Sequence, residues 1–164
     1  SGSDAESAAK RELLVIFGGS DEDFDACTPM FATYAGRVVR VGPVGASQGT
    51  KLINNVLMTA ITGLVFDAYD LGHALSIDEE GLAAVLASGS AANPSVTIYR
   101  QLGGAETFSV RAWPTLHKDV PLARSEADAA GLDLPLLVPT AERTIDEMVR
   151  RRADWVAEHQ STTD

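Results

Sequence analysis

The sequence has a single cysteine and few basic residues, and both shortages limit what the chain can do. Cys27 has no second cysteine to pair with in the 164 residues, which excludes an internal disulfide and a cysteine-rich zinc site. Lysine and arginine total 13 residues against 23 aspartate and glutamate residues, so the formal net charge is −10. A surface this acidic repels phosphate groups, which argues against nucleic acids and anionic membranes as partners.

Long apolar segments and leader-like segments are also missing. The charge-free stretch from Leu52 to Phe66 has about 15 residues, fewer than the roughly 20 that a helix needs to cross a bilayer. The N-terminal residues lack the basic and then apolar pattern of a signal peptide. We therefore predict a soluble, cytoplasmic protein with no membrane partner.

Most sequence motifs of known chemistry are absent too. His73, His117 and His159 are isolated, and none has a second ligand at metal-binding spacing, so we predict no metal site. The chain has no Gly-x-Ser-x-Gly elbow and no P-loop. It also has no Gly-x-Gly-x-x-Gly sequence after a strand, so it carries no dinucleotide fingerprint of its own.

Two short apolar segments near the N-terminus predict a strand-helix-strand unit. Residues 13–17 and 37–41 are each followed by glycine, which is typical of buried strands. Ser20, followed by three acidic residues, is the predicted N-cap of a helix between them. Two parallel strands need a wider sheet around them. We interpret the unit either as a small flap on another domain or as the end of a larger sheet.

The chain after Gly45 predicts helices almost throughout. Residues 47–75 contain no proline and carry apolar side chains around most of the circumference, which predicts a spine helix about 40 Å long. Further helices are predicted after Ser76 as N-cap, from Phe108 to Ala130, and from about Val138 to His159. The predicted fold is therefore mainly α.

The start of the spine helix carries the strongest chemical signal in the chain. Lys51 and Asn55 are four residues apart, so both side chains project from one helix face. That face is otherwise apolar, and both burial and the positive helix N-terminus would lower the lysine pKa. Lys51 would then take a proton from a substrate hydroxyl while Asn55 holds the substrate. The alternative is an interfacial lysine that reaches water beside a structural asparagine pair.

The turn and the start of the spine helix resemble the signature of the β-hydroxyacid dehydrogenase family, through Gly45, Lys51, Asn54 and Asn55. That family includes hydroxyisobutyrate dehydrogenase, tartronate semialdehyde reductase and the phosphogluconate dehydrogenases. Other landmarks of the family occur in the same order along this chain: Ser1-Gly2-Ser3, Leu13 to Gly19, Asp67, Ser88-Gly89-Ser90, Ser95, Phe108, Lys118-Asp119 and Asp154-Trp155.

The resemblance implies a domain order and an activity. Residues 1–43 would end a nucleotide-binding Rossmann domain, and residues 44–164 would form a helical domain that binds substrate and dimerises. In the family, a hydride passes between a small β-hydroxyacid and NAD or NADP, which yields the oxo acid or semialdehyde. The cofactor-binding half with its glycine fingerprint is missing here. We therefore predict that this chain alone is inactive, and that the intact protein is a homodimer or a larger homo-oligomer.

The resemblance also implies roles for individual residues. Lys51 would be the general acid and base on the substrate oxygen, and Asn54 and Asn55 would orient the substrate. The substrate carboxylate would bind to Ser1, Gly2 and Ser3. Lys118 and Asp119 would contact the cofactor and line the cleft between the domains.

Three residues of the chain differ from the family pattern, and the sequence also allows two other interpretations. Ser3, Arg11 and Ser47 occupy positions where the family usually has glycine. Ser3 and Ser47 bear on the shape of the substrate pocket but leave the acid and base unit intact. A non-catalytic alternative is a helical dimerisation module whose spine helix pairs with that of a partner. An imine reductase-like relative would share the architecture but usually replaces the lysine, so Lys51 argues against it.

Overall fold

The computed structural model describes residues 9–10 and 12–160, the last three by their backbone only. The chain divides into two compact units, Ser1–Asn54 and Asn55–Asp164. The domain boundary predicted after residue 43 stays a prediction.

The first unit is the predicted strand-helix-strand motif. Strand β1 is Leu13–Gly18, helix α1 is Asp21–Phe31 and strand β2 is Ala35–Gly42. The two strands pair in parallel, with Val15 opposite Val38. Ser20 caps α1 as predicted, because its hydroxyl accepts a hydrogen bond from the backbone N–H of Asp23 at 3.1 Å.

Aromatic side chains hold α1 against the small sheet. The ring of Phe17 on β1 lies 5.4 Å from that of Phe24 and 5.8 Å from that of Phe31, both on α1. Leu14 of β1 is nevertheless 40% exposed. Parallel sheets are normally covered on both faces, and two strands are too few for a stable sheet. The interpretations of this unit as a small flap or as the end of a larger sheet both stay predictions.

Helix α2, Ala46–Ala74, is the predicted spine helix. Two glycines shape the turn before it: Gly42 and Gly45 have φ values of +143° and +94°, which side chains disfavour. By length and composition, α2 is apolar enough to cross a membrane, with a mean hydropathy of 1.3 over its most apolar window. Core helices share that property, and 44% of the window is buried inside the structure.

In the part of the second unit that the structure describes, the rest of α2 is followed by five further helices, which confirms the mainly helical fold. Their bounds are α3 Glu79–Ser88, α4 Pro94–Leu102, α5 Ala105–Leu116, α6 Asp119–Ala129 and α7 Leu137–Gln160. Asn93 caps α4 through its side chain, and Gly103 ends that helix in the left-handed conformation.

The core of this unit is aromatic. Phe66 and Tyr69 of α2 meet Tyr99 of α4 and Phe108 of α5, and all four side chains are buried. The rings of Tyr69 and Tyr99 stack 4.1 Å apart, and burial raises the pKa of Tyr99 to about 12. Helices α2 and α7 come so close at Gly63 that an added Cβ would lie 2.0 Å from the hydroxyl oxygen of Thr144.

An arginine links three of these helices beside the core. The Arg151 guanidinium on α7 bonds Asp70 of α2 at 2.6 Å, Glu106 of α5 at 3.1 Å and Glu147 of its own helix at 2.7 Å. It also lies over the Phe66 ring. Burial acts to lower the pKa of Arg151, but the bond to Asp70 and the surrounding carboxylates outweigh it and raise that pKa.

Two predictions about helix ends are wrong. Ser76 is not an N-cap; it lies in the turn just after α2, with a φ of +55°, and the N–H of Ile77 donates to the carbonyl of Gly72. Asp78 instead caps α3 through the Gly81 N–H. The second wrong prediction is a single helix from Phe108 to Ala130, where the structure has two helices, α5 and α6. Pro121 has no N–H that could donate to the carbonyl of His117, so the helical hydrogen bonds are interrupted there.

Candidate functional site

Lys51 lies in the second turn of α2, within the first unit, and its side chain is exposed. The sequence pattern suggested an apolar surrounding for this lysine, and for the described chain that expectation is wrong. Helix periodicity shows on which side of the helix a residue lies. It does not show whether other residues cover that side. The role of Lys51 in proton transfer stays a prediction.

Asn55 is one turn further along α2 and is only 8% exposed. Its side-chain nitrogen Nδ2 donates a hydrogen bond to Oδ2 of Asp119, with 2.6 Å between the two atoms. Asp119 is the first residue of α6 and is 64 positions away in sequence. The structure thus brings together two residues to which the family resemblance gave separate roles, one toward the substrate and one toward the cofactor.

The other predicted site residues that the structure describes are exposed. Asn54 is exposed on α2, and Lys118 is exposed at the position before α6, where its side chain makes no capping bond. Asp67 is likewise exposed on α2. Ser1, Gly2 and Ser3 lie outside the described residues, so their predicted contact with the substrate carboxylate stays a prediction.

The segment just before Asp119 is held by a layered stack that the sequence did not reveal. The imidazole of His117 stacks on the indole of Trp113 at 4.0 Å, and the guanidinium of Arg152 covers that indole at 4.2 Å. Nδ1 of His117 lies 2.8 Å from the Trp113 carbonyl oxygen, which can only accept, so Nδ1 carries a hydrogen. The spacing of Trp113 and His117, four apart on a helix, was the only signal of this stack.

The structure also has a concave region whose lining includes neither Asn55 nor Asp119. It lies between α6 and the start of α7, and Arg124, Asp128 and Pro139 are among its lining residues. Arg124 is paired there with Glu142, whose pKa the arginine hydrogen bond lowers. Among the described residues, no group of three or more histidine, cysteine, aspartate or glutamate side chains is arranged to hold a metal ion.

The described chain is a strand-helix-strand segment with parallel pairing, followed by a long helix and a helical bundle. The same fold is found in a solved structure. The chain superposes on the structure titled 3-hydroxyisobutyrate dehydrogenase with L-serine from Mycobacterium tuberculosis with a TM-score of 0.70 and 19% identity, covering 93% of this chain and 54% of the other.

Sequence comparison gives the family. The model described as NAD-binding of NADP-dependent 3-hydroxyisobutyrate dehydrogenase matches residues 45–159, and the chain belongs to this family. The 3-sulfolactaldehyde reductase of Escherichia coli K12 is 27% identical over 157 residues, which covers 88% of this chain and 50% of that protein. The 3-hydroxyisobutyrate dehydrogenase of Pseudomonas aeruginosa is 27% identical over 135 residues, which covers 76% of this chain and 44% of that protein.

These comparisons confirm the predicted family and the predicted cofactor class, NAD or NADP. The chain spans about half the length of the curated relatives that it matches.

Proposed function

We propose that this chain is the substrate-binding and dimerising part of an NAD(P)-dependent oxidoreductase that interconverts a small β-hydroxyacid and its oxo acid or semialdehyde. The observation that carries the proposal is the start of α2. The family match begins at residue 45, directly before a helix that holds Lys51 and, one turn on, a buried Asn55 fixed by Asp119. The oxidoreductase relatives support the same reaction class.

In the proposed reaction the chain supplies a proton carrier and a substrate anchor. When bound, NAD or NADP exchanges a hydride with the hydroxyl-bearing carbon of the substrate. In the oxidative direction, neutral Nζ of Lys51 takes the hydroxyl proton, and the ammonium returns it to the carbonyl oxygen in the reverse direction. The Asn55 side chain holds the substrate beside this amine. Because Lys51 is exposed in the described chain, the nucleotide-binding half would have to exclude water from it.

Of the two residues predicted to contact the cofactor, Lys118 suits that contact better than Asp119. Lys118 is exposed and cationic, so it suits an anionic dinucleotide. The Asp119 carboxylate is occupied by the Asn55 amide. In the proposed enzyme, Lys118 would therefore be the cofactor contact of this chain, and a nucleotide-binding half would hold most of the dinucleotide. The predicted cytoplasmic location, and the absence of nucleic-acid or membrane partners, remain predictions.

Turnover assays test the proposal directly. The intact protein, meaning this chain joined to a nucleotide-binding half, should reduce NAD or NADP with 3-hydroxyisobutyrate or L-serine, or oxidise the reduced cofactor with 3-sulfolactaldehyde. Absorbance of the reduced nicotinamide measures each rate. The 164-residue chain alone should show none, because it has no glycine fingerprint to bind the dinucleotide. Turnover by the chain alone would contradict the proposal, as would an intact, folded protein that is inactive with every hydroxyacid tried.

A dimerising role is favoured by a separate observation on α2. Leu57, Leu64 and Leu71 recur every seven residues and so lie on one side of the helix, with Leu75 one turn further. All four are between 48% and 62% exposed. An exposed stripe of leucines on a helix is typical of a surface that a partner covers.

If the leucine stripe of α2 is a dimer interface, sedimentation of the chain at micromolar concentration should show a dimer. Replacing Leu64 and Leu71 together by aspartate places charges in the interface and should give a monomer. Val85→Asp is the matched control, because Val85 is equally apolar and exposed but lies on α3. A monomeric parent chain, or a double variant that still dimerises, would exclude this interface.

A further inference from the structure

Helices α5 and α6 meet at a corner, residues 116–119, that includes Lys118. Lys118 is the single lysine in the sequence of the second unit, and its side chain is exposed. It makes no capping bond at the start of α6. Leu116 and Val120, on either side of it, are 1% and 2% exposed and anchor the corner in the core. Lys118 thus depends on its neighbours for its position, and His117 directly precedes it.

Trp113 fixes His117 through two kinds of contact. The carbonyl oxygen of Trp113 accepts hydrogen bonds from the backbone N–H of His117 at 3.0 Å and from Nδ1 of its ring at 2.8 Å. The imidazole also stacks on the indole, with an angle of 9° between the ring planes. The position of the imidazole therefore follows the position of the indole, and a shift of the indole reaches the residue directly before Lys118.

The indole is held by its faces rather than by its N–H group. Nε1 of Trp113 is buried and has no hydrogen-bond partner among the residues that the structure describes. The guanidinium of Arg152, on α7, lies 4.2 Å from the centre of the indole ring, which is within the range of a cation–π contact. Arg152 thus ties the indole, and through it the α5–α6 corner, to α7.

We propose that Arg152 is a positioning residue for cofactor binding: through its stack on Trp113, it keeps the α5–α6 corner in the arrangement in which Lys118 meets the anionic dinucleotide. This inference rests on the proposed function, in which Lys118 is the cofactor contact of this chain. A corner that is ordered before binding raises the affinity, because NAD or NADP does not have to supply the free energy of ordering it.

Binding of NADH or NADPH to the intact protein, followed by the fluorescence of the reduced nicotinamide, tests this role without a substrate. Arg152→Ala should raise the Kd about three- to ten-fold, because a cation–π contact contributes about this much to an equilibrium constant. Trp113→Leu keeps every charge and should raise the Kd to a similar degree. The doubly substituted variant should bind no more weakly than the weaker single variant, since both residues act through one stack.

Two neighbouring arginines on α7 separate positioning from charge and from stability. Arg150→Ala removes the same charge from the same helix and should leave the Kd within about two-fold of the parent. Arg151→Ala removes contacts to three carboxylates, so it should cost more stability than Arg152→Ala, yet the folded variant should bind as Arg150→Ala does. A loss of affinity in Arg151→Ala as large as that in Arg152→Ala would overturn the proposal.

Two other results would assign the effect of Arg152 to its charge alone and so overturn positioning. One is parental affinity in Trp113→Leu. The other is parental affinity in Arg152→Lys, which keeps the charge but loses the planar group that stacks on the indole. Arg152→Lys should bind more weakly than the parent, and it keeps the test decisive if Trp113→Leu fails to fold.

NMR of the 164-residue chain distinguishes failure of this inference from failure of the proposed function. The ring C–H protons of His117 lie over the indole, so its ring current displaces their signals. Arg152→Ala should move these signals, and Arg150→Ala should leave them in place. Signals that stay in place in Arg152→Ala overturn the inference even if the intact enzyme is active. An active enzyme whose Arg152→Ala variant has the parental Kd also overturns the inference alone, whereas an intact protein that binds no nicotinamide cofactor overturns the proposed function with it.

Discussion

Replacing Lys51 by alanine in the intact protein should lower hydroxyacid turnover by about 10²- to 10⁴-fold, the usual contribution of general acid and base catalysis. The reason is that Lys51 is the proposed proton carrier; the other lysines of the sequence are Lys10 and Lys118, and neither has that proposed role. The KM for the cofactor should change little, because the proton is exchanged with the substrate oxygen. Steady-state kinetics at saturating cofactor measure the loss.

One further variant and one rescue experiment test whether the loss is one of proton transfer. Lys51→Arg keeps the positive charge but cannot release a proton at accessible pH, so it should be nearly as slow as Lys51→Ala. Small primary amines added to Lys51→Ala should restore part of the turnover, because they supply the missing base. If Lys51→Ala stays within a few-fold of the parent, the acid and base assignment is wrong and the interfacial-lysine interpretation stands.

Replacing Arg151 should have the largest effect on stability. Its side chain is 16% exposed and bonds carboxylates from α2, α5 and α7 at once. Without it, Asp70, Glu106 and Glu147 would be left close together without the cation that they share. Removing one partner of a buried ion pair costs about 3–5 kcal/mol, and the half-exposed partners here reduce this to about 2–3 kcal/mol for Arg151→Ala.

Chemical and thermal unfolding of the chain, followed by circular dichroism, measure this cost. A loss of about 2–3 kcal/mol should lower Tm by about 5–10 °C in a chain of this length. The neighbouring Arg150 is a matched control, because its side chain is 73% exposed and it pairs with Glu147 on its own helix. Arg150→Ala should cost under about 0.5 kcal/mol. Equal effects of the two variants would show that the linkage between helices contributes nothing.

The elements of the fold were predictable because their signals are local. The strand before Gly18 and the cap at Ser20 depend on residues within a few positions of each other. The spine helix follows in the same way from an unbroken apolar pattern in α2. The wrong predictions concern positions whose local structure depends on a neighbouring element. Ser76 resembles an N-cap in sequence, but its backbone closes the preceding helix.

The candidate site was predictable only as a set of residue types. Lys51 and Asn55 were selected by their four-residue spacing, which the helix of the structure preserves. The spacing could not show that one would be exposed and the other buried. It also could not show that Asp119 contacts Asn55, because no periodicity relates residues on different helices.

The sequence by itself determined the class of fold, the family and the helix that carries the candidate amine, since each depends on patterns within a single element. Only the tertiary structure decided which side chains meet. The bond from Asn55 to Asp119 spans 64 positions and that from Arg151 to Asp70 spans 81. Such contacts form because packing of the helices brings distant residues together, and the order of residues along one helix does not specify that packing.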